Sequence, residues 1–323
     1  MKEFDLINRF FKNRGHQRKD VIMGIGDDAA ITKIPNKQCL AVTTDTLVNG
    51  VHFLPETPAE AVAYKAVAVN LSDLAAMGAE PAWISLSLSL PSTDAVWLDD
   101  FTKGLFELSQ YYSVQLIGGD TVRGALAVTI TAQGFVPIDS ALTRSGAKPG
   151  DWIYVTGTLG DAGAGLEILK GELQASSEDA EYLIHRHQYP SPRVLAGTAL
   201  RRSASACIDI SDGLLADIQH ILDNSECGAL INVEKLPISD PLNRVVSTDQ
   251  AIDLALAAGD DYELIFTVAE DYKSKVETAF TSFNVNATCI GQITGATGKI
   301  DLRCNDKPFA HSGQRGYQHF DAS

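Results

Sequence analysis

Cysteine is scarce in this chain of 323 residues, and none of its five cysteines forms a Cys-x-x-Cys pair. They are Cys39, Cys207, Cys227, Cys289 and Cys304. An odd number of widely spaced cysteines argues against a disulfide framework and against thiolate clusters that hold zinc. We expect these thiols to be reduced, in the core or near the surface.

Positive charge is also in deficit, because 26 lysines and arginines face 41 aspartates and glutamates, for a net charge of −15. A chain with this overall field repels nucleic acid and anionic membranes, so neither is expected as a partner. The surplus acids either keep the surface soluble or are gathered into sites that bind cations. Their positions in the sequence must decide between the two.

Long apolar runs are lacking as well. The apolar stretch at residues 59–69 is interrupted by Glu60 and Lys65. Residues 1–5 lack the basic segment and the apolar run of a secretory signal. We therefore expect a cytoplasmic protein without a membrane partner. No internal repeat at the period of a solenoid is visible.

Apolar residues make up 45% of the chain, enough to bury two cores of ordinary domain size. The clearest break in composition falls at residues 141–151, which contain few apolar residues and several Ser, Gly, Lys and Pro. We therefore predict two domains, residues 1–140 and residues 148–323.

Strand and helix patterns alternate along the chain, which predicts an α/β (α+β) fold. An amphipathic opening segment carries Phe4, Ile7, Phe10 and Phe11 at roughly helical spacing. Further helices are predicted at residues 58–77, 98–112 and 214–222. Strands are predicted at residues 39–43, 83–90, 114–117, 127–136, 152–156, 206–210 and 262–268.

Aspartates recur at the ends of predicted strands and in loops that contain glycine, namely Asp27, Asp28, Asp45, Asp120, Asp209 and Asp212. Sites gather at strand ends in α/β proteins because the sheet fixes the position while the loop stays free to meet a ligand. Clustered carboxylates raise one another's pKa unless cations neutralise them. Oxygen ligands without a His/Cys set favour Mg²⁺, which usually completes its shell with nucleotide phosphates. The pattern therefore predicts ATP chemistry.

Asp73 differs from these acids because it lies within a predicted helix that is otherwise apolar, close to Asn70 and Ser72. A buried carboxylate without a partner is costly, so we interpret Asp73 as a ligand. The other acids have an ordinary alternative when taken singly. Asp161 or Asp212 alone would more often cap a helix or close an Asx-Gly turn than bind a ligand.

Three further features of the sequence each have a functional and a purely structural interpretation. His52 by itself is more often a structural or exposed histidine than a ligand contact. The glycine-containing loop at residues 157–165 lacks the Lys-Ser/Thr of a P-loop, so it is either a phosphate site or a tight turn. Arg123, Arg144 and Lys148 flank acidic loops and are either phosphate contacts or solvated surface residues.

Six short motifs, read in chain order, closely resemble those of the thiamine-monophosphate kinases, and the resemblance spans nearly the whole chain. They are Gly26-Asp27-Asp28-Ala29-Ala30, Thr43-Thr44-Asp45 with His52, Asn70-Leu71-Ser72-Asp73-Leu74-Ala75-Ala76-Met77-Gly78, Gly118-Gly119-Asp120-Thr121, Asp209-Ile210-Ser211-Asp212-Gly213-Leu214 and Gly259-Asp260-Asp261-Tyr262-Glu263-Leu264. The ending Gly316-Tyr317-Gln318-His319-Phe320 also resembles that of the family.

The resemblance implies a superfamily that includes aminoimidazole-ribonucleotide synthetase and selenophosphate synthetase. Its N-terminal α/β domains pair in a homodimer and complete a β-barrel, with ATP bound nearby, and its C-terminal domain is an α/β layered domain. Residues 1–140 would then bind ATP and Mg²⁺ and form the dimer.

Roles for individual residues follow from the same resemblance. The metal ligands would be Asp27, Thr43, Thr44, Asp45, Asp73, Asp120, Asp209 and Asp212, of which Asp45, Asp73 and Asp120 would serve catalysis. Gly119, Asp120, Arg144 and Ser211 would contact the nucleotide. His52, Glu263 and Phe320 would contact thiamine monophosphate. Asp260 and Asp261 are not counted as ligands.

The implied reaction is phosphorylation of thiamine monophosphate to thiamine diphosphate by direct in-line transfer from ATP, assisted by several Mg²⁺ ions. Three alternatives are weighed against it. Another ATP-dependent reaction of the superfamily is the first, and the lack of any cysteine before Cys39 disfavours selenophosphate synthesis. The others are a nucleotide-sensing module without an acceptor and a hydrolase that releases phosphate from thiamine phosphate without consuming ATP.

Overall fold

The structure is a computed structural model, which describes residues 3–283, 285–311, 313, 316 and 317. The chain divides into two compact units. The N-terminal unit spans Met1–Leu74 and Ala79–Asp139, and the C-terminal unit spans Ala75–Gly78 and Ser140–Ser323. Each unit combines helices with a β-sheet, so the predicted two-domain α/β organisation is confirmed.

The first part of the chain forms a four-stranded sheet in the order β3-β6-β4-β5, together with a separate β1-β2 pair. The strands are β1 (Val21–Met23), β2 (Ile31–Thr32), β3 (Gln38–Val48), β4 (Glu80–Leu90), β5 (Gln115–Arg123) and β6 (Ala127–Pro137), and the helices are α1 (Glu3–Phe10), α2 (Ala59–Ala76) and α3 (Ala95–Tyr111). Strands β4 and β5 are parallel and are joined by α3, as a parallel pair requires a crossover. The other pairs of this sheet are antiparallel.

Helix α2 is buried on nearly every side, which explains why its alanines, valines and leucines show no clear polar face. Even its polar residues Lys65, Asn70 and Ser72 are buried. The Asn70 Nδ2 group donates to the carbonyl oxygen of Ala66 at 3.0 Å. A buried helix such as α2 can carry a carboxylate only where a hydrogen-bond donor or a cation compensates it.

Two strands extend further than the sequence predicts, and the placement of Asp45 and Asp120 at strand ends is wrong. Strand β3 pairs with β6 in one unbroken register from Gln38 to Val48, so Asp45 lies inside the strand. Strand β5 continues through Gly119, where a Cβ atom would lie 1.8 Å from the Leu86 carbonyl oxygen. Because glycine has no Cβ, the backbone of β5 stays paired with β4 at this point instead of turning away.

The C-terminal unit contains a seven-stranded sheet in the order β13-β12-β9-β11-β7-β10-β8. Its strands are β7 (Trp152–Thr156), β8 (Ala204–Asp209), β9 (Gly228–Asn232), β10 (Leu264–Val268), β11 (Ala287–Thr294), β12 (Ile300–Cys304) and β13 (Lys307–Pro308). Its helices are α4 (Asp161–Leu169), α5 (Ser177–Gln188), α6 (Val194–Leu200), α7 (Leu214–Ser225), α8 (Asp240–Val245), α9 (Thr248–Ala257) and α10 (Lys273–Phe283). Strands β9 and β12 pair in parallel, and the other described pairs of this sheet are antiparallel.

Helix α7 shows how a sequence pattern sets the packing in this unit. Leu214, Ile218, Ile221 and Leu222 are buried and recur at helical spacing, so one face of α7 joins the core of the sheet. Helix α7 begins after a short loop, residues 210–213, that follows β8. Within the described residues, no helix has the length and apolar character needed to cross a bilayer.

Candidate functional site

The first group of predicted ligands lies in the N-terminal unit, where β3 faces α2. Thr43 and Asp45 are two residues apart on β3, so their side chains leave the same face of the strand. The Thr43 hydroxyl donates to Oδ2 of Asp73 on α2. The Asp45 carboxyl lies close enough to Asp73 for the two groups to affect each other's ionisation. Asp73 therefore has partners, which accounts for a carboxylate on this apolar helix.

Burial and the neighbouring charge of Asp73 raise the pKa of Asp45 to about 7. Neighbouring carboxyl groups disfavour each other's ionisation, and a bound cation would compensate their charge. A pair of carboxylates with a hydroxyl suits Mg²⁺, which commonly binds one or two carboxylates and then substrate phosphates. No cluster of three or more His, Cys, Asp or Glu side chains that could hold a metal occurs among the described residues.

Thr44 points to the other face of β3. Its hydroxyl shares a hydrogen bond of 2.9 Å with the Thr131 hydroxyl on β6, and the pair Thr46 and Thr129 repeats this contact at 2.8 Å. Because alternate side chains leave opposite faces of a strand, the Thr44 hydroxyl is separated from the Asp45 carboxyl. A role for Thr44 as a metal ligand stays a prediction.

A second group of predicted residues lines a cavity of about 690 Å³ in the N-terminal unit. Helix α1, the loop at residues 24–30 and strands β4 and β5 form its walls. Its lining includes Lys12, Asp27, Asp28, Gly119 and Asp120. The volume is within the range of cavities that hold small ligands. The structure therefore places the predicted nucleotide residue Gly119 and the acids Asp27 and Asp120 around one opening.

Three other predicted residues are placed as follows. The His52 Nδ1 atom accepts a hydrogen bond from the Val48 backbone N–H at 3.0 Å, in the turn after β3. Arg144 is exposed, and its carbonyl oxygen accepts a hydrogen bond from the Ser225 hydroxyl at 3.3 Å. Phe320 lies outside the described residues. Their roles in binding nucleotide or acceptor stay predictions.

In the C-terminal unit, the predicted residues lie at the end of β8 and in the loop before α7. Asp209 is the buried last residue of β8, and Ser211 and Asp212 are half-buried in the loop that follows. One oxygen of Asp217 accepts hydrogen bonds from the backbone N–H groups of Ser211, Asp212 and Gly213, each at 3.0 Å. Burial, followed by the charge of Asp212, raises the pKa of Asp217 to about 7.

Glu263 is fully buried and completely hydrogen-bonded. Oε1 accepts from Arg186 at 3.0 Å and from Arg193 at 2.5 Å, while Oε2 accepts from Arg193 at 2.6 Å and from Thr156 at 2.7 Å. Burial opposes the charged form, but the two arginines outweigh it and lower the pKa of Glu263. Four donors occupy the four lone-pair positions of a carboxylate, so an acceptor molecule could bind Glu263 only by displacing one of them. The predicted substrate contact stays a prediction.

Three residues that organise these groups were not predicted from the sequence, namely Asp217, Arg186 and Arg193. Asp217 had a usable signal, because it follows Asp212 by five residues and lies in the first turn of α7, where acids are favoured. The arginines gave none, since their contacts with Glu263 join positions 70 and 77 residues apart.

Comparisons with known proteins match both units of the chain. The family model "AIR synthase related protein, N-terminal domain" matches residues 26–136, and the corresponding C-terminal domain model matches residues 148–302. The chain is 53% identical over 319 residues to the thiamine-monophosphate kinase of Escherichia coli (strain K12), covering 98% of each chain.

Solved structures give the same result. The crystal structure of thiamine-monophosphate kinase from Stenotrophomonas maltophilia K279a matches with a TM-score of 0.85 and 44% identity, over 91% of this chain and 93% of that one. A structure of AaThiL complexed with AMPPCP and TMP matches with a TM-score of 0.77 and 32% identity, over 92% of each chain. With both halves matched by family models and a close relative spanning nearly its whole length, the chain belongs to the thiamine-monophosphate kinase family of AIR synthase related proteins.

Proposed function

We propose that this protein transfers the γ-phosphoryl group of ATP to thiamine monophosphate, giving ADP and thiamine diphosphate. The observation that carries the proposal is the cavity of the N-terminal unit, which brings Gly119, Asp120 and Asp27 together in a space of about 690 Å³. The choice of acceptor is supported by the E. coli relative and by AaThiL, whose structure contains AMPPCP and TMP.

The acceptor is a phosphate monoester whose second ionisation lies near pH 6, so its oxygen is already a nucleophile at neutral pH. The reaction therefore needs no catalytic base. Its main difficulty is the repulsion between two anionic reactants. Bound Mg²⁺ would neutralise charge on the phosphates and on the transferring group. We propose that Asp45, Asp73 and Thr43 hold one such ion.

The remaining predicted residues keep their proposed roles, each within its own unit. Residues 1–140 would bind ATP and Mg²⁺, and the acids Asp27 and Asp120 at the cavity would serve as further ligands, as would Asp209 and Asp212 in the C-terminal unit. Gly119, Arg144 and Ser211 would contact the nucleotide. His52, Glu263 and Phe320 would contact the acceptor, Glu263 only with loss of one observed donor. Thr44 is retained as a proposed ligand.

We also propose a homodimer formed through the N-terminal unit. Strand β3 is an edge of the four-stranded sheet, and Leu40 and Val42 on it are exposed. An open edge with apolar side chains is a ready surface for pairing with another chain. This supports the expected β-barrel across a dimer. The predicted cytoplasmic location stays a prediction.

The proposed reaction is tested by incubating the protein with ATP, Mg²⁺ and thiamine monophosphate and measuring ADP and thiamine diphosphate together by chromatography. Equal formation of both products, lost on adding EDTA, is expected. ATP consumption without thiamine diphosphate would point to another acceptor. Phosphate release from thiamine monophosphate without ATP would identify a hydrolase instead.

The same assay tests the acid pair. Asp45→Asn and Asp73→Asn should each lower kcat by a factor of about 100 or more, because the pair would lose a charge where phosphate charge must be neutralised. Circular dichroism should show that both variants remain folded.

Detection of a covalent phosphoenzyme on the reaction path would overturn direct transfer.

A further inference from the structure

The loop between β8 and α7 is built around the Asp217 side chain, which is 2% exposed. A single oxygen, Oδ2, accepts from three consecutive backbone N–H groups, those of Ser211, Asp212 and Gly213, each at 3.0 Å. The Asp217 backbone N–H in turn donates to the Gly213 carbonyl oxygen at 2.9 Å, as the first turn of α7. The carboxylate thus accepts from three of the four N–H groups of loop 210–213, and the fourth, that of Ile210, donates to the Glu263 carbonyl oxygen at 2.8 Å.

Successive backbone N–H groups that converge on one point ordinarily attract an anion such as phosphate. Here that place is taken by an acid of the chain itself, so the three N–H groups are not available to a phosphate. The loop can therefore offer a ligand its side chains, Ser211 and Asp212, which are half-buried. A carboxylate and a hydroxyl offered in this way suit a metal–nucleotide complex better than a bare phosphate.

The carbonyl side of the loop is fixed as well. The Ser211 carbonyl oxygen accepts from the Asp260 N–H at 2.8 Å, and the Asp212 carbonyl oxygen accepts from the Tyr317 N–H at 3.0 Å. Gly213 has a φ of 123°, and a Cβ atom there would lie 2.9 Å from the Ala257 backbone. Within the described part of the chain, the Asp217 carboxylate is the side-chain group that accepts from the N–H groups of residues 211–213.

We propose that Asp217 is a positioning residue for the kinase reaction, holding Ser211 and Asp212 in the conformation that binds magnesium and nucleotide. This inference rests on the proposed function of these two residues. Residues that orient direct ligands without touching the metal commonly change metal affinity about 10- to 100-fold when they are replaced. Asp217→Ala should therefore weaken binding of Mg²⁺ and ATP by a factor in that range.

The test measures binding of a fluorescent ATP analogue by the whole protein as Mg²⁺ is titrated, without acceptor, alongside kcat and KM. Asp217→Ala should raise the half-saturating Mg²⁺ concentration by about tenfold or more. Asp217→Asn keeps an oxygen that accepts from backbone N–H groups, so it should restore most of the binding. If the alanine variant fails to fold, Asp217→Ser is tested in its place. Its shorter side chain cannot reach all three N–H groups of residues 211–213, so it should weaken binding in the same way.

A matched control is Asp151→Ala. Asp151 is 5% exposed, and its Oδ2 accepts from the Lys148 backbone N–H at 3.0 Å and from the Ser205 hydroxyl at 2.6 Å. The Asp151→Ala variant should be less stable than the wild type but should bind the ATP analogue at the same half-saturating Mg²⁺ concentration. The proposal would be overturned if Asp217→Ala needed no more Mg²⁺ than the wild type to bind the ATP analogue. It would also be overturned if Asp151→Ala raised the half-saturating Mg²⁺ concentration as much as Asp217→Ala. Because binding is measured without acceptor, a wild-type protein that forms no thiamine diphosphate would contradict only the proposed reaction.

Discussion

Glu263 and Asp261 are separated by one residue and both are buried, yet they differ in charge. Two arginines compensate Glu263 and lower its pKa. Asp261 accepts a hydrogen bond from the Gly160 N–H at 2.9 Å, and its Oδ1 atom has no hydrogen-bond partner in the described part of the chain. Burial, only partly offset by that bond and by Arg186, raises the pKa of Asp261 to about 8. Asp261 is therefore protonated at neutral pH.

This difference makes a prediction about pH. The unfolded chain releases the Asp261 proton near pH 4, whereas the folded protein keeps it to about pH 8, so the wild type loses stability as pH rises through this window. Asp261→Asn cannot titrate. Between pH 5 and pH 8, the free energy of unfolding should fall less steeply with pH in the variant than in the wild type. The two slopes should differ by up to about 1.4 kcal/mol per pH unit.

Denaturant unfolding at several pH values measures this slope. Asp271→Asn, at an exposed acid, is the control and should retain the wild-type slope. Identical slopes for Asp261→Asn and wild type would show that Asp261 is ionised in the folded protein.

At the scale of elements, the contact between α2 and α3 depends on a single glycine. A Cβ atom on Gly104 would lie 2.0 Å from the Glu60 carbonyl oxygen, so the two helices approach as closely as their backbones allow. Gly104→Ala ordinarily would stabilise a helix by about 1 kcal/mol. Here it should destabilise the protein by about 1–3 kcal/mol, because the helices must separate.

Chemical denaturation of the whole chain tests this prediction. Lys103→Ala, one position away with a side chain that is 60% exposed, is the control and should change stability by less than about 0.5 kcal/mol. A Gly104→Ala variant as stable as wild type would mean that the helices can shift apart at no cost.

Local patterns predicted the elements far better than the contacts between them. Strand β7 was predicted with its observed bounds, and the long helix α2 to within one residue at each end. The ends of β3 and β5 were wrong because they depend on pairing with β6 and β4. The proximity of Asp45 and Asp73 was expected only from the family resemblance. The hydrogen bonds around Glu263 could not be predicted, since no sequence spacing links Arg193 to that residue.

For the whole molecule, the open edge of the four-stranded sheet determines the expected assembly. Val42 is 58% exposed on β3, beside Leu40, which is 38% exposed. Val42→Glu would bury a charge in the proposed dimer contact, at a cost that weakens association by about tenfold or more. Sedimentation of the wild type and variant over a range of concentrations should show a dimer that dissociates more readily in the variant.

Val96→Glu is the matched control for this experiment. Val96 is 71% exposed in the first turn of α3, away from β3, and its replacement should leave the dimer intact. A wild type that sediments as a monomer at all concentrations, or a Val42→Glu variant as tightly associated as the wild type, would exclude β3 from the contact.

The near-complete burial of α2 has a kinetic consequence for the proposed metal ligands. Backbone amides inside a helix enclosed on all sides exchange with solvent deuterium only when much of the surrounding unit opens, whereas those of an exposed loop exchange through local fluctuations. Asp73 belongs to the first class, and Asp27, in an exposed loop, belongs to the second. The amide of Asp73 should therefore exchange far more slowly than that of Asp27, so two proposed ligands of one unit lie in segments of different local stability.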